Sequence, residues 1–309
     1  MKLIVPTLAI INYWNNVQAF DIKSDKNLIA YWGQNSYGSS SEAEAAKMEK
    51  PLREYCNDDT YDMFVVSFLT KFNAENPSLY PELNLGKHCH QTFPGTNLAN
   101  CPEVGQDIKY CQSKGKAVVL SMGGYSGDYT IKQEKHAHHL ANKMWDLFLG
   151  GKSKFRPFGD VILDGVDLDI EKGPPENYAT FTHALRNITL KDNSKKYYIT
   201  AAPQCPYPDA SLKAVLERGW LDAAFVQFYN NPCGLGSDSF NFEQWDNWAK
   251  TGSVNKDVKI YLGAPASPSA SNTGYLPIKK LAALVEKTRS KHSSFGGVMI
   301  WDVSQGQAN

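Results

Sequence analysis

Apolar residues fall along the chain in short runs, each followed by a longer stretch of mixed character. Eight runs read as strands: Leu28–Gly33, Met63–Leu69, Ala117–Gly123, Val161–Glu171, Tyr197–Ala202, Ala224–Tyr229, Lys259–Gly263 and Gly297–Trp301. They are nearly apolar throughout rather than alternating, which is the pattern of parallel strands covered on both faces. Helical patterns fill the intervals at Ser41–Tyr55, Gly105–Lys114, His136–Phe148, Pro175–Asn187, Leu212–Arg218, Phe242–Thr251 and Pro277–Lys291. This alternation predicts an α/β fold, a single-domain (β/α)₈ TIM barrel. A doubly wound open sheet is the competing architecture, but no Gly-rich fingerprint follows the first strand. Only eight residues follow Trp301. That is too few for a full helix with its connection, so the expectation is either a barrel closed differently or one cut short of its final helix.

The first residues have a different character. Met1-Lys2 precedes an apolar run over Leu3–Ile11, a polar stretch follows, and Val17-Gln18-Ala19 offers small residues at a cleavage site. A basic start, a short apolar core and such a site predict a secretory signal peptide over residues 1–19. The mature domain then covers 20–309. The apolar run is too short to span a bilayer, so no membrane insertion is expected.

Export changes the reading of the six cysteines, Cys56, Cys89, Cys101, Cys111, Cys205 and Cys233. In an oxidising compartment they predict three disulfides, and the count alone allows fifteen pairings. A zinc site is the alternative, but no Cys-x-x-Cys pair occurs. His136, His138 and His139 fall on a helix, where a solvated face explains them. Asn187-Ile188-Thr189 is a glycosylation sequon, so Asn187 is a candidate acceptor. The charge balance, 32 basic against 32 acidic side chains, argues against nucleic acid as partner, because phosphate binding needs a basic surface.

The polar residues of chemical interest cluster at the strands' C-terminal ends, where barrels place their active sites. The strongest signal is Asp164-Gly165-Val166-Asp167-Leu168-Asp169-Ile170-Glu171. Side chains alternate along a strand, so Asp167, Asp169 and Glu171 share one face and Val166, Leu168 and Ile170 the other. The apolar set faces the helices, and the three acids therefore point into the barrel. Asp164 has the opposite parity. Like charges and burial raise carboxyl pKa values, so at least one acid holds a proton near neutrality, as a general acid requires. Glu171 lies nearest the open end. A Mg²⁺ or Ca²⁺ site is the alternative, but the neighbouring segments offer aromatics and amides rather than further hard ligands. Such equipment suits a sugar. Tyr31 and Trp301 can stack a pyranose ring, while Gln227, Asn230 and Asn35 can bond its edges. Carboxylates flanking a bond are the general means of glycoside hydrolysis.

The acid strand resembles the D-x-x-D-x-D-x-E signature of family 18 glycoside hydrolases. The flanks Ala30–Asn35, Leu120–Gly124, Ala201–Pro206, Val226–Asn231 and Gly296–Trp301 resemble plant class III and yeast-type chitinases. The resemblance runs from about Asn27 to Trp301. It implies a secreted chitinase that acts on chitin or its oligosaccharides with retention, as a monomer, without cofactor or metal. Glu171 would be the acid and base, and Asp169 would bond the substrate's acetamido group. Asp167 would share a hydrogen bond with Asp169, and Tyr229 would orient the acetamido oxygen. Trp301 would floor the reacting sugar, with Tyr31, Gln34, Phe68, Gln227, Asn230 and the Gly123-Gly124 backbone lining neighbouring subsites. The resemblance also implies the pairings Cys56–Cys111, Cys89–Cys101 and Cys205–Cys233. Two other readings are a non-catalytic chitin-binding lectin and an endo-β-N-acetylglucosaminidase. The intact acids and Tyr229 favour the enzyme over the lectin, and the chitinase-type flanks disfavour the N-glycan enzyme.

Overall fold

The computed structural model describes residues 19–39 and 44–309. The expected leader lies outside them except for Ala19. Among the described residues nine strands form one sheet: β1 (Asn27–Trp32), β2 (Met63–Lys71), β3 (Glu82–Leu83), β4 (Ala117–Gly123), β5 (Gly165–Asp169), β6 (Tyr198–Ala201), β7 (Ala223–Gln227), β8 (Lys259–Pro265) and β9 (Phe295–Trp301). The order is β1-β9-β8-β7-β6-β5-β4-β2, and β1 pairs again with β2, which closes the ring. All pairs in the ring are parallel. The short β3 adds antiparallel to β2 outside it. This is the (β/α)₈ barrel that the alternation predicted.

Eight α-helices among the described residues follow the strands around the outside: α1 (Leu52–Tyr55), α2 (Pro102–Ser113), α3 (Glu134–Phe148), α4 (Tyr178–Thr189), α5 (Lys213–Arg218), α6 (Phe242–Asn247), α7 (Ile278–Lys291) and α8 (Val303–Ala308). The core divides accordingly. Val166, Leu168 and Ile170 pack outward with the helices, among them Leu140 and Met144 of α3. Ile29, Met63, Val65, Val119, Phe225, Tyr261 and Met299 fill the barrel's interior. Phe20 and Ile22 join this inner cluster, and the Phe20 ring meets Tyr198 edge-on at 5.2 Å.

Three local expectations are corrected. Of the helix read over Ser41–Tyr55, residues 41–43 lie outside the described residues, and the remainder is a 3-10 turn at Ala45–Lys47 followed by the four-residue α1. Pro51 lies between them, and a proline cannot continue a helix because it lacks the N–H and disfavours helical geometry before it. The strand read over Val161–Glu171 is ordered in the ladder only from Gly165 to Asp169. Gly165 enters at φ +152°, where an added Cβ would lie 1.9 Å from the Tyr198 carbonyl oxygen. Only glycine allows so close a backbone approach. Finally, a helix does follow Trp301. Asp302 caps α8, its carboxylate accepting from the N–H of Gln305 at 3.0 Å and the hydroxyl of Ser304 at 2.6 Å. A side-chain cap lets so short a helix start at once.

Disulfides join Cys56 to Cys111, Cys89 to Cys101 and Cys205 to Cys233. Asn187 is exposed on α4. Among the described residues, no helix is long and apolar enough to cross a membrane.

Candidate active site

A cleft of about 400 Å³ opens at the C-terminal end of the barrel. Its lining includes the ends of β1, β2, β5, β7 and β9, because every strand delivers its last inward side chain to the same rim. The register explains the acid set. Asp167 is level with Ser121 on β4 and Thr200 on β6. One carboxylate oxygen of Asp167 accepts from the hydroxyls of Tyr31 at 2.8 Å and Ser121 at 2.7 Å, and the other from Thr200 at 2.7 Å. Burial pushes the Asp167 carboxyl up, and these three hydroxyls oppose the push.

Asp169 stands one step nearer the cleft and is 4% exposed. Gln227 donates to it at 3.0 Å and to the Ala202 carbonyl at 2.9 Å. Its carboxyl is held well above the usual range, first by burial, then by the charges of Glu171, Asp167 and Asp209. Glu171 lies just beyond the strand, half-buried in the cleft wall. Its N–H donates to the Tyr129 hydroxyl at 2.9 Å, and that hydroxyl donates to the Gly124 carbonyl at 3.1 Å. Burial raises the Glu171 carboxyl, the Asp209 charge adds to it, and Lys172 opposes it. The three acids thus form a gradient from an enclosed, hydrogen-bonded group to one that reaches the ligand space. Such a set favours the protonated form more than solvent-exposed carboxyls would, which is the direction proton donation needs.

Tyr229 is buried yet also lines the cleft. Burial and then the Asp169 charge hold its hydroxyl well above the usual range, so it remains a donor. Aromatic rings form the floor. Trp301 stacks on Phe68 at 5.9 Å, and Tyr31 meets Trp301 at 5.6 Å.

Tyr31, Gln34, Phe68, Asp169, Glu171, Gln227, Tyr229, Asn230 and Trp301 all line this one cleft. Asp167 stands behind Asp169 rather than in the lining. Gly123 and Gly124 also lie outside the lining. An added Cβ at Gly123 would meet the Asp169 carbonyl oxygen at 2.2 Å, and one at Gly124 the Phe68 ring at 2.9 Å. The Gly124 N–H donates to the Asp169 carbonyl at 2.8 Å. The glycine pair therefore lets two walls approach. Asn230 adopts φ +57°, and its side-chain oxygen accepts from the Asn272 N–H at 2.8 Å, which fastens the loop after β8. Asp164 faces outward, bonded to Gln112 and the Val118 N–H and paired with Lys195 at 2.8 Å.

Several residues of the site escape a reading of strand ends. Ser121 and Thr200 become visible only once the register is known. Asp209 enters from a loop, where the N–H groups of Gln204 and Leu212 hold its carboxylate at 2.9 and 2.7 Å. Tyr125 stands at the rim with 84% of its surface exposed. Among the described residues, no group of three or more His, Cys, Asp or Glu side chains is arranged to hold a metal ion.

Comparison with known proteins agrees with this architecture. "Chitinase 2" of Rhizopus oligosporus is 46% identical over 95% of this chain and 52% of its own length. An "Endochitinase" of Saccharomyces cerevisiae is 40% identical over 94% of this chain and 49% of its own. The chain thus spans about half the length of the curated relatives it matches. Among solved structures, the ICChI chitinase of Ipomoea carnea superposes with a TM-score of 0.76 at 35% identity, covering 91% of this chain and 96% of that one. A tamarind chitinase-like lectin superposes at 0.66 and 27% identity, covering 92% of this chain and 98% of that one. The fold therefore serves both hydrolases and lectins. The family profile described as "Glycosyl hydrolases family 18" matches residues 27–275. With a closed barrel, its acids along and just beyond one strand and this match, the chain belongs to glycosyl hydrolase family 18.

Proposed function

We propose that the cleft hydrolyses β-1,4 bonds between N-acetylglucosamine units, as in chitin, with retention at the anomeric carbon. The observation that carries this reading is the graded acid set. Asp167 is locked by three hydroxyls, Asp169 is buried beside it, and Glu171 alone of the three is half-open to ligand. Relatives named chitinase and endochitinase support the substrate class.

Glu171 donates its proton to the glycosidic oxygen as the bond to the anomeric carbon breaks. The substrate's own acetamido carbonyl attacks that carbon from the opposite face and forms a cyclic oxazolinium. This route departs from the two-carboxylate scheme. Asp169 accepts the acetamido N–H and offsets the positive charge, while Asp167, whose oxygens bond Tyr31, Ser121 and Thr200 rather than Asp169, acts on it through its charge. Tyr229 donates to the acetamido oxygen and keeps it in line, an orientation effect. The Glu171 carboxylate then takes a proton from water, which attacks the anomeric carbon and reopens the ring. Two inversions leave the original configuration. Trp301 floors the reacting sugar, Gln34, Gln227 and Asn230 bond its neighbours, and Tyr125 stacks on a sugar at the rim. The protein acts outside the cell, after removal of the leader read over residues 1–19.

The N-acetyl requirement is the sharpest test. The N-acetylglucosamine pentamer should be cleaved, while the fully deacetylated glucosamine pentamer should survive, because it carries no internal nucleophile. Equal cleavage of both would remove the acetamido group from the mechanism. Saturable binding of the acetylated pentamer without any cleavage would favour a lectin.

A further inference from the structure

Behind the cleft wall lies a buried carboxylate that this chemistry does not use. Glu49 is 1% exposed. One of its oxygens accepts from the N–H groups of Gly33 at 3.0 Å and Asn35 at 3.1 Å, and it faces His88 Nε2 at 2.8 Å. In return, the Asn35 side-chain oxygen accepts from the Glu49 N–H at 2.8 Å. Gly33 and Asn35 both have positive φ, +116° and +46°. The amides on either side of Gln34 therefore converge on one oxygen, a main-chain cradle for an anion. Burial raises the Glu49 carboxyl, His88 opposes this, and the charge of Asp302 adds to it. Asp302 grips the other end of the same turn, accepting from the Ser36 N–H at 3.2 Å.

Gln34 is the residue this arrangement presents. Its side-chain nitrogen donates to the carbonyls of Ser67 at 2.7 Å and Asn84 at 2.9 Å. That bond set leaves its oxygen for the cleft, which Gln34 lines. His88 comes from the same segment as Asn84. Its ring lies 4.4 Å from that of Trp32, and its neighbour Cys89 is bridged to Cys101. Between them, Gly86 packs on the turn so closely that a Cβ would lie 2.9 Å from the Gly33 carbonyl oxygen.

We propose that Glu49 and His88 are a positioning pair that fixes the Gly33–Asn35 turn and sets Gln34 against the sugar, and that the Cys89–Cys101 bridge holds His88 in place for this. A turn with two positive-φ residues has several conformers of similar energy when nothing selects one. The buried carboxylate selects the conformer, and His88 compensates its burial. Gln34 binds substrate equally before and during reaction, so misplacing it weakens ground-state binding and leaves the chemical step intact.

The inference rests on the chitin-hydrolysing reading, and the test separates the two. Glu49→Leu, His88→Leu and the double variant Cys89→Ser/Cys101→Ser are compared with Glu49→Gln and His88→Gln on the N-acetylglucosamine pentamer. Near-UV circular dichroism confirms that each is folded. The Leu and Ser variants should raise KM about tenfold, roughly the worth of one well-placed hydrogen bond, with kcat little changed. The Gln variants keep the hydrogen-bonding atoms and should recover most of the affinity. An unchanged KM in folded His88→Leu, or a loss of kcat without a change in KM, would overturn the pair. A wild-type protein that neither cleaves nor binds the pentamer would overturn the functional reading, and the pair with it.

Discussion

Replacement of Glu171 by Gln should lower kcat on the N-acetylglucosamine pentamer by about 10²–10⁴-fold, the range that a positioned general acid and base contributes. The pentamer's Kd should hardly move, because the amide fills the same volume and the subsites are untouched. Glutamine carries no transferable proton at working pH, so neither the leaving oxygen nor the attacking water is assisted. The wild-type rate should also depend on pH through this residue. Burial and the Asp209 charge raise the Glu171 carboxyl. The protonated, donating form therefore persists to higher pH than for an ordinary glutamate, and activity falls as pH rises through the raised value. The pH profile of kcat checks this directly. A variant within tenfold of wild type would remove Glu171 from the acid role.

Asp169→Asn should move activity and stability in opposite directions. In the proposed mechanism its carboxylate faces the developing charge, and removal of such a group costs about 10²–10³-fold in kcat. The same carboxyl is buried next to Glu171, Asp167 and Asp209, and its pKa stands well above the unfolded value. A raised carboxyl pKa means that the native state binds the proton more tightly than the unfolded chain. Its contribution to stability is present below the unfolded value, about 4, and is lost as pH rises through the native one. As pH rises from the unfolded value, the native state bears a growing cost for this carboxyl that a neutral asparagine does not bear. Wild type and variant should therefore melt alike near pH 3, and the variant should melt higher at pH 7, by about 2 °C or more. Stability given up at a working site is a common trade. Melting curves at the two pH values check the sign. A variant less stable at pH 7 would mean that Asp169 is held mainly by its hydrogen bond from Gln227.

The barrel and its acids were legible for a simple reason. Strand side chains alternate, so Val166, Leu168 and Ile170 could face only the helices, and Asp167, Asp169 and Glu171 only the interior. The structure bears out that parity for the strand residues, and Asp164 indeed turns outward to Lys195. The differences are local. Hydrophobic spacing suggests a helix across Pro51 because the spacing ignores the missing N–H. The short α8 escapes a count of residues, since its start depends on the Asp302 cap rather than on length. Ser121 and Thr200 are ordinary strand residues until register places them beside Asp167. Glu49, His88 and Asp209 come from irregular segments, where neither period applies. Glu49 meets His88 through closure between distant loops, and Asp209 is held by a local turn between Gln204 and Leu212. Cysteine counting likewise leaves fifteen pairings open, and family resemblance, not spacing, points to the pairing.

The most direct test of the mechanism is the stereochemistry of the first product. Residues 20–309 are mixed with the N-acetylglucosamine pentamer, and proton NMR follows the reducing-end anomers before they interconvert. Attack by the acetamido carbonyl followed by water inverts the anomeric carbon twice, so new ends should appear first as the β anomer and drift toward equilibrium. First appearance of the α anomer would mean a single displacement by water, and would contradict the roles of Asp169 and Tyr229 in guiding the acetamido group.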